Sequence, residues 1–304
     1  MKTYDLFRQY YWLVSTIYRY GRLTFKEIDS LWLDSTLSDG ERLSRTTFNR
    51  HREAIANMFG IEIECNKKDQ SRYYIANPDA LEEDSIQRWM ISTSSVNTIL
   101  TESKSVYDRI ILEHIPSEGN NLHSFIDAMK NGRRIKVCYK RYGVDEEPKT
   151  LVVEPYFVKL FKKRWYAIVK YPEPSGWIIT LAFDRFISLE ITGECFEYDK
   201  DFSPAEWFKD QYGIMRDSES GVENIIIRAY GREAYYMRDL PLHHSQTIID
   251  ETSEYTDFGL MIVVSDDFLT PLLSRGAAIK VMEPKWLAEK VKEMHIMAAK
   301  LYDE

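Results

Sequence analysis

Lys163-Arg164-Trp165-Tyr166-Ala167-Ile168-Val169 decides how this chain is read, together with Asp184-Arg185, which begins fifteen residues after Val169. A basic pair runs into two adjacent aromatic residues and then into an apolar run. Successive side chains of a strand point to opposite faces, so Trp165 and Tyr166 diverge: one packs inward while the other is available for contact. Upstream, Arg134-Ile135-Lys136-Val137-Cys138-Tyr139 alternates polar and apolar residues, and Glu154-Pro155-Tyr156-Phe157-Val158 opens another strand-like run. Such runs, packed within about sixty residues, predict a small, curled antiparallel barrel from about Arg133 to Tyr198.

The barrel accounts for only a fraction of 304 residues, and chains of that length hold two or three domains. An apolar content of 44% with 13% aromatics is enough to build cores, which excludes a disordered protein. The net charge of −8 argues against indiscriminate nucleic-acid binding, but the charge is unevenly placed. Residues 1–78 carry 12 Lys+Arg against 10 Asp+Glu, a balance of +2; the remainder carries 28 against 38, a balance of −10. A mildly basic head on an acidic body fits a local nucleic-acid site. Cys65, Cys138 and Cys195 lie far apart without paired spacing and read as reduced thiols of a cytoplasmic protein. No apolar run approaches the roughly 18 residues a membrane span requires.

In the head, Leu6, Tyr10, Leu13, Val14 and Ile17 recur at helical spacing up to Gly21. Thr24 and Glu27 form a capping box for a second helix reaching about Trp32. After a polar loop from Asp34 to Arg42, Ser44 or Thr46 caps a third helix that Gly60 ends, with Phe48, Ile55, Met58 and Phe59 as its inward stripe. Ile61–Glu64 and Tyr73–Ile75 read as two strands joined by a basic tip. Three helices followed by a hairpin describe a winged helix-turn-helix. On that reading Arg45, Thr47, Asn49, Arg50 and Arg52 of the third helix meet base edges of a double-stranded DNA operator, and Lys67, Lys68 and Arg72 of the wing meet phosphate. Four arginines, one histidine and no acid stand between Arg42 and Arg52.

Residues 79–132 read as a helical linker, with helices at 83–102, Val106–Glu113 and Leu122–Asn131 and a break at Pro116–Asn120. Its surplus of apolar residues, with the usual pairing of half-site readers, predicts a homodimer. From 203 to 304, strands at 222–230, Leu260–Val264 and Ala278–Met282 alternate with helices at Ala205–Phe208, 231–239, Phe268–Arg275 and Lys285–Tyr302, a small α+β domain. The whole chain is thus α+β multidomain: winged helix-turn-helix 1–78, helical linker 79–132, Sm/SH3-like β-barrel 133–202 and a small α+β C-terminal domain 203–304.

The tyrosine ending Ile135-Lys136-Val137-Cys138-Tyr139, the Glu154-Pro155 strand, Arg164-Trp165-Tyr166-Ala167-Ile168-Val169 and Leu181-Ala182-Phe183-Asp184-Arg185-Phe186 follow one another as they do in the WYL domain. The chain resembles that family of small Sm/SH3-like barrels, found mainly in bacterial regulators. Leu240-Pro241-Leu242-His243-His244-Ser245-Gln246 and Gly276–Pro284 resemble the C-terminal extension that follows many WYL domains. One departure stands out: where many family members carry an arginine, this chain has Ala182.

The resemblance implies a transcriptional regulator whose barrel senses a nucleotide or nucleic-acid effector. The residue chemistry agrees, because Tyr139, Arg141, Lys159, Arg164, Tyr166 and Arg185 combine aromatic faces with fixed positive charge, which suits stacked bases and phosphates. Against that role, Trp165 and Tyr139 also read as core, and Asp184 as a structural ion-pair partner of Arg185. An enzyme is not expected: GxSxG, HExxH, P-loop and GxGxxG patterns are missing from the sequence, and the pair His243-His244 has no acid or cysteine at metal-ligand spacing. No cofactor or metal is expected. The competing reading is a nucleic-acid-binding accessory factor that modulates a partner enzyme.

Overall fold

The apolar stripe Leu6, Tyr10, Leu13, Val14, Ile17 makes a helix, α1 (Thr3–Tyr20), whose buried face anchors the first of two compact units, Met1–Glu113 and His114–Glu304. The computed structural model describes residues 3–35, 37–82, 85–102, 109, 119–141, 143, 147–216 and 221–303. The helix expected at Val106–Glu113 lies outside them apart from Arg109, as does most of the break at Pro116–Asn120. Among the described residues no helix is long and apolar enough to cross a membrane.

In the first unit α1 is followed by β1 (Leu23–Thr24), α2 (Phe25–Leu33), α3 (Arg45–Phe59), β2 (Ile63–Asn66), β3 (Arg72–Ile75) and α4 (Ile86–Glu102). Thr24 Oγ1 accepts the Glu27 amide at 3.3 Å while the Thr24 amide donates to Glu27 Oε2 at 2.7 Å, so the capping box starts α2. Ser44 caps α3 by accepting the Thr47 amide at 3.0 Å, and Gly60 ends it at φ 65°, a left-handed turn that a side chain would strain. The strands form an antiparallel sheet in the order β1-β3-β2. Beneath α3 the buried stripe is Phe48, His51, Ile55 and Phe59. Met58, expected inside, is 46% exposed: it stands at the margin of that stripe, in the last turn of α3.

The second unit opens with α5 (Gly119–Lys130), then β4 (Arg133–Tyr139), β5 (Lys149–Phe161), β6 (Arg164–Lys170), β7 (Ile178–Ala182) and β8 (Phe186–Cys195), with a 3-10 turn at Phe183–Arg185. These five strands form an antiparallel sheet in the order β7-β6-β5-β4-β8. The long β5 belongs to both halves: its first residues pair with β4 and Glu154–Phe161 pair with β6, across a register shift between Pro155 and Phe157. Such an irregularity bends a strand, which is how one sheet gains strong curvature. One side packs on α5 through Phe125, Val137, Val153, Ala167 and Val169; the other buries Tyr156, Phe157, Tyr166 and Ile168.

The chain continues as α6 (Pro204–Phe208), β9 (Glu223–Tyr230), α7 (Arg232–Asp239), β10 (Thr247–Glu251), β11 (Tyr255–Ile262), α8 (Asp266–Ser274), β12 (Ile279–Glu283) and α9 (Lys285–Lys300). The four strands form an antiparallel sheet, β10-β11-β9-β12, over which Met237, Phe268, Leu272 and Leu287 are fully buried. Strand β10 was not expected, since all five of its residues are exposed and no alternation marks it.

Candidate nucleic-acid and effector sites

Helix α3 holds its polar side outward. Arg45, Asn49 and Arg50 are exposed; the Arg45 guanidinium lies 4.6 Å from the centre of the Phe25 ring, which fixes its direction. Thr47 is tied to the cap by a 2.8 Å bond from the Ser44 hydroxyl. Arg50 has no hydrogen-bond or ion-pair partner among the described residues. Arg52 is different: it is half-buried, its Nε donates to the Ile63 carbonyl at 2.9 Å with Nη2 on the same oxygen, and its guanidinium lies 5.0 Å from the Tyr73 ring. Arg52 therefore ties α3 to β2.

At the tip between β2 and β3, Lys67 and Lys68 are exposed, and the Asn66 side chain accepts the Lys68 amide at 3.0 Å to shape the turn. Arg72 is half-buried opposite Thr24. Between α3 and β2 runs a groove of about 420 Å³ into which Glu53, Glu62 and Glu64 face. Three carboxylates repel phosphate there, whereas the first turns of α3 combine arginine, asparagine and the positive end of a helix dipole. Beside this groove a polyanion meets favourable charge at the N-terminal half of α3 and at the tip.

The five-stranded sheet uses its cations another way. Arg133 Nη1 donates to the Gly193 carbonyl at 2.6 Å; Arg134 joins Glu154 at 3.0 Å and Glu194 at 2.9 Å. Arg164 grips both oxygens of Asp184, at 2.8 and 2.6 Å from Nη2, and stands 5.6 Å from the Tyr166 ring. Arg185 is not the partner of Asp184: its Nη1 donates to the Lys140 carbonyl at 3.1 Å, and its own carbonyl accepts the Lys140 amide at 3.1 Å. That pair of hydrogen bonds with Lys140 brings Arg185 beside exposed Arg141.

Tyr139 and Tyr166 are 9% and 8% exposed, so neither ring is open for stacking in this conformation. The Tyr139 hydroxyl accepts the Ala182 amide at 3.3 Å, and Ala182 pairs with Tyr166 across β6 and β7. Trp165 and Tyr166 do face opposite ways, the first against the α5-side core and the second within the other. Lys159 pairs with Tyr166 in register, but its ammonium reaches the Gly213 carbonyl at 2.6 Å. Burial pushes it down from 10.5 to about 8, against the pull of Asp267.

His243 is engaged at both nitrogens, with the Ser245 hydroxyl and the Lys209 carbonyl each at 2.8 Å. Burial, then His244, lowers its pKa. Among the described residues no cluster of His, Cys, Asp or Glu could hold a metal ion.

The WYL domain family model matches residues 120–191, a span running from the start of α5 through most of β8. The chain contains a WYL domain. Its sheet is therefore the WYL sheet, and the α5 helix is part of the domain. No curated protein matches the chain significantly. Among solved structures, proteasome accessory factor B/C (PafBC) of Arthrobacter aurescens is similar at 16% identity with a TM-score of 0.34, over 95% of this chain and 46% of that one. A CRISPR Cas-related protein is similar at 10% identity and a TM-score of 0.35, over 86% of this chain and 74% of that one. The chain thus spans less than half the length of the PafBC chain.

Proposed function

We propose that the protein is a DNA-binding transcriptional regulator whose WYL domain takes a nucleotide or single-stranded oligonucleotide as effector. The observation that carries the reading is the exposed N-terminal face of α3, where Arg45, Asn49 and Arg50 stand without an acidic partner among the described residues. With Lys67 and Lys68 at the tip, residues 1–78 serve as a winged helix-turn-helix, α3 in the major groove and the tip on phosphate. Thr47 and Arg72 support that surface, and Arg52 positions it through Ile63. The chain acts as a homodimer on two half-sites.

In the WYL domain, then read as an Sm-like barrel, Arg141 and Arg185 are the phosphate contacts. Arg164 joins them only if the effector displaces Asp184, and Tyr139, Tyr166 and Lys159 respond as the layer beneath. An effector that favours one arrangement of the two readers changes operator affinity by population shift.

A second reading, a nucleic-acid-binding accessory factor that modulates a partner enzyme, is favoured by the groove of Glu53, Glu62 and Glu64, which offers a basic partner a surface beside α3. A mobility-shift assay on DNA from upstream of the protein's own operon, at stated salt, separates the readings. The regulator retards that DNA in preference to scrambled sequence and sediments at twice the monomer mass; an accessory factor shows no preference.

A further inference from the structure

Residues 208–216 are held from two directions inside the second unit. From the WYL sheet, the Lys159 ammonium bonds the Gly213 carbonyl at 2.6 Å and sits 3.6 Å from the Phe208 ring centre. The Thr180 hydroxyl donates to the Ile214 carbonyl at 3.3 Å, and Phe161 meets the Tyr212 ring edge-on at 5.7 Å. From the C-terminal domain, one oxygen of Asp267, at the start of α8, accepts the amides of Ile214 and Met215 at 2.8 and 2.9 Å. The Val263 amide donates to the Asp210 carbonyl at 2.8 Å, and Tyr212 packs on Phe268 at 5.8 Å. The peptide units around Gly213 are thus bonded alternately to the WYL sheet and to the start of α8.

Two features exceed what a passive connection requires. A lysine placed where its charge loses water is costly unless its partners are fixed, and an aliphatic side chain would cover Phe208 without that cost. Gly213 has φ 83°, and a Cβ there would come within 2.8 Å of Asp267 Cγ, so the close approach of segment and carboxylate demands glycine.

We infer that residues 208–216 form a latch, gripped by Lys159 of the WYL sheet and Asp267 of the C-terminal domain, that passes movement of that sheet to α8. Displacing β5 withdraws Lys159 from Gly213; the Ile214 and Met215 amides, one and two residues on, then loosen from Asp267. The latch is independent of the effector assignment, since each contact lies within the chain itself.

Coupling of this kind is tested by perturbing one grip and reading the other. Amide hydrogen exchange is measured on the full-length chain carrying Lys159→Met, which keeps the aliphatic length and removes the donor. The latch predicts that the Ile214 and Met215 amides, which Lys159 does not touch, exchange about tenfold faster or more, while β9 and β11 keep wild-type protection. Thr180→Val and Gly213→Ala approach from the sheet and from the glycine; each accelerates the same amides, and Lys159→Met adds less to Gly213→Ala than to wild type. If Lys159→Met fails to fold, Thr180→Val carries the test. Unchanged exchange at Ile214 and Met215 in a folded Lys159→Met or Thr180→Val protein overturns the inference, as does strict additivity with Gly213→Ala.

Discussion

Helix α3 and the WYL sheet both put arginine next to aromatic rings, and they use it in opposite ways. On α3, Arg45 and Arg50 stay exposed on a face whose opposite side is Phe48, His51, Ile55 and Phe59. In the sheet, Arg133, Arg134, Arg164 and Arg185 each meet a carbonyl or a carboxylate from another strand or turn, twenty to sixty residues away in sequence. A helix offers neighbours only at three and four positions' distance, so an acid-poor helix leaves its cations available to a partner. A sheet imports its neighbours from afar, and Arg133, Arg134 and Arg164 are engaged with theirs before any ligand arrives. Arginine count alone therefore does not locate a binding surface.

The comparison breaks first at the apolar side of α3. Phe48 is 1% exposed, and Phe48→Ala should cost about 3–5 kcal/mol in denaturant unfolding of the first unit. A loss below about 1 kcal/mol would mean that α3 is not seated by that stripe. Beside Phe48, burial and then the charge of Arg50 lower His51 from 6.5 to about 4. The unfolded chain binds that proton near pH 6.5 and the folded one only near 4. Stability carried by neutral His51 is complete above 6.5 and is lost as pH falls through 4. At about 1.4 kcal/mol per pH unit the ceiling is about 3 kcal/mol. Urea titrations at pH 7 and pH 4.5, compared with His51→Leu, check it: the variant should lose less on acidification.

Much of α2 and α3 was legible because their signals are local. Thr24 with Glu27 at the start of α2, Ser44 before α3 and Gly60 after it are all read within a few residues, and the structure places each at its cap. The inward stripe differs at one point: His51, two turns before Met58 on nearly the same line, is buried, while Met58 in the last turn is exposed. In the second unit β4, β5, β6, β9 and β12 were legible; β7 and β8 were not read as separate strands, β11 starts at Tyr255 rather than Leu260, and β10, paired with β11, leaves no pattern in its exposed residues. The partners of the sheet's cations were not legible. Nothing near Asp184 names Arg164, twenty residues back, rather than the adjacent Arg185 as its partner, and nothing near Lys159 names Gly213. On α3 the same limit hid Arg52, whose acceptor Ile63 lies beyond the helix.

Smaller effects sharpen the contrast. Arg164→Met leaves Asp184 half-buried without its two-pronged donor, and should lower stability by about 1–3 kcal/mol in thermal or denaturant unfolding. Ser44→Ala removes the acceptor of the Thr47 amide and should cost about 1 kcal/mol. If Arg164→Met were as silent as a surface change, the sheet's arginines would be as available as those of α3 and the contrast would fail.

The most direct test sets Arg50→Ala beside wild type on a selected operator and on scrambled duplex, in full-length protein at one salt concentration, with the melting temperature taken alongside. A lost base contact costs about 1–3 kcal/mol of discrimination, and an exposed arginine contributes under about 0.5 kcal/mol to folding. The expected result is an unchanged melting temperature, similar affinity for scrambled DNA, and operator preference reduced about tenfold or more. An Arg50→Ala protein that keeps its full preference for the operator would contradict the assignment of α3 as the reading helix.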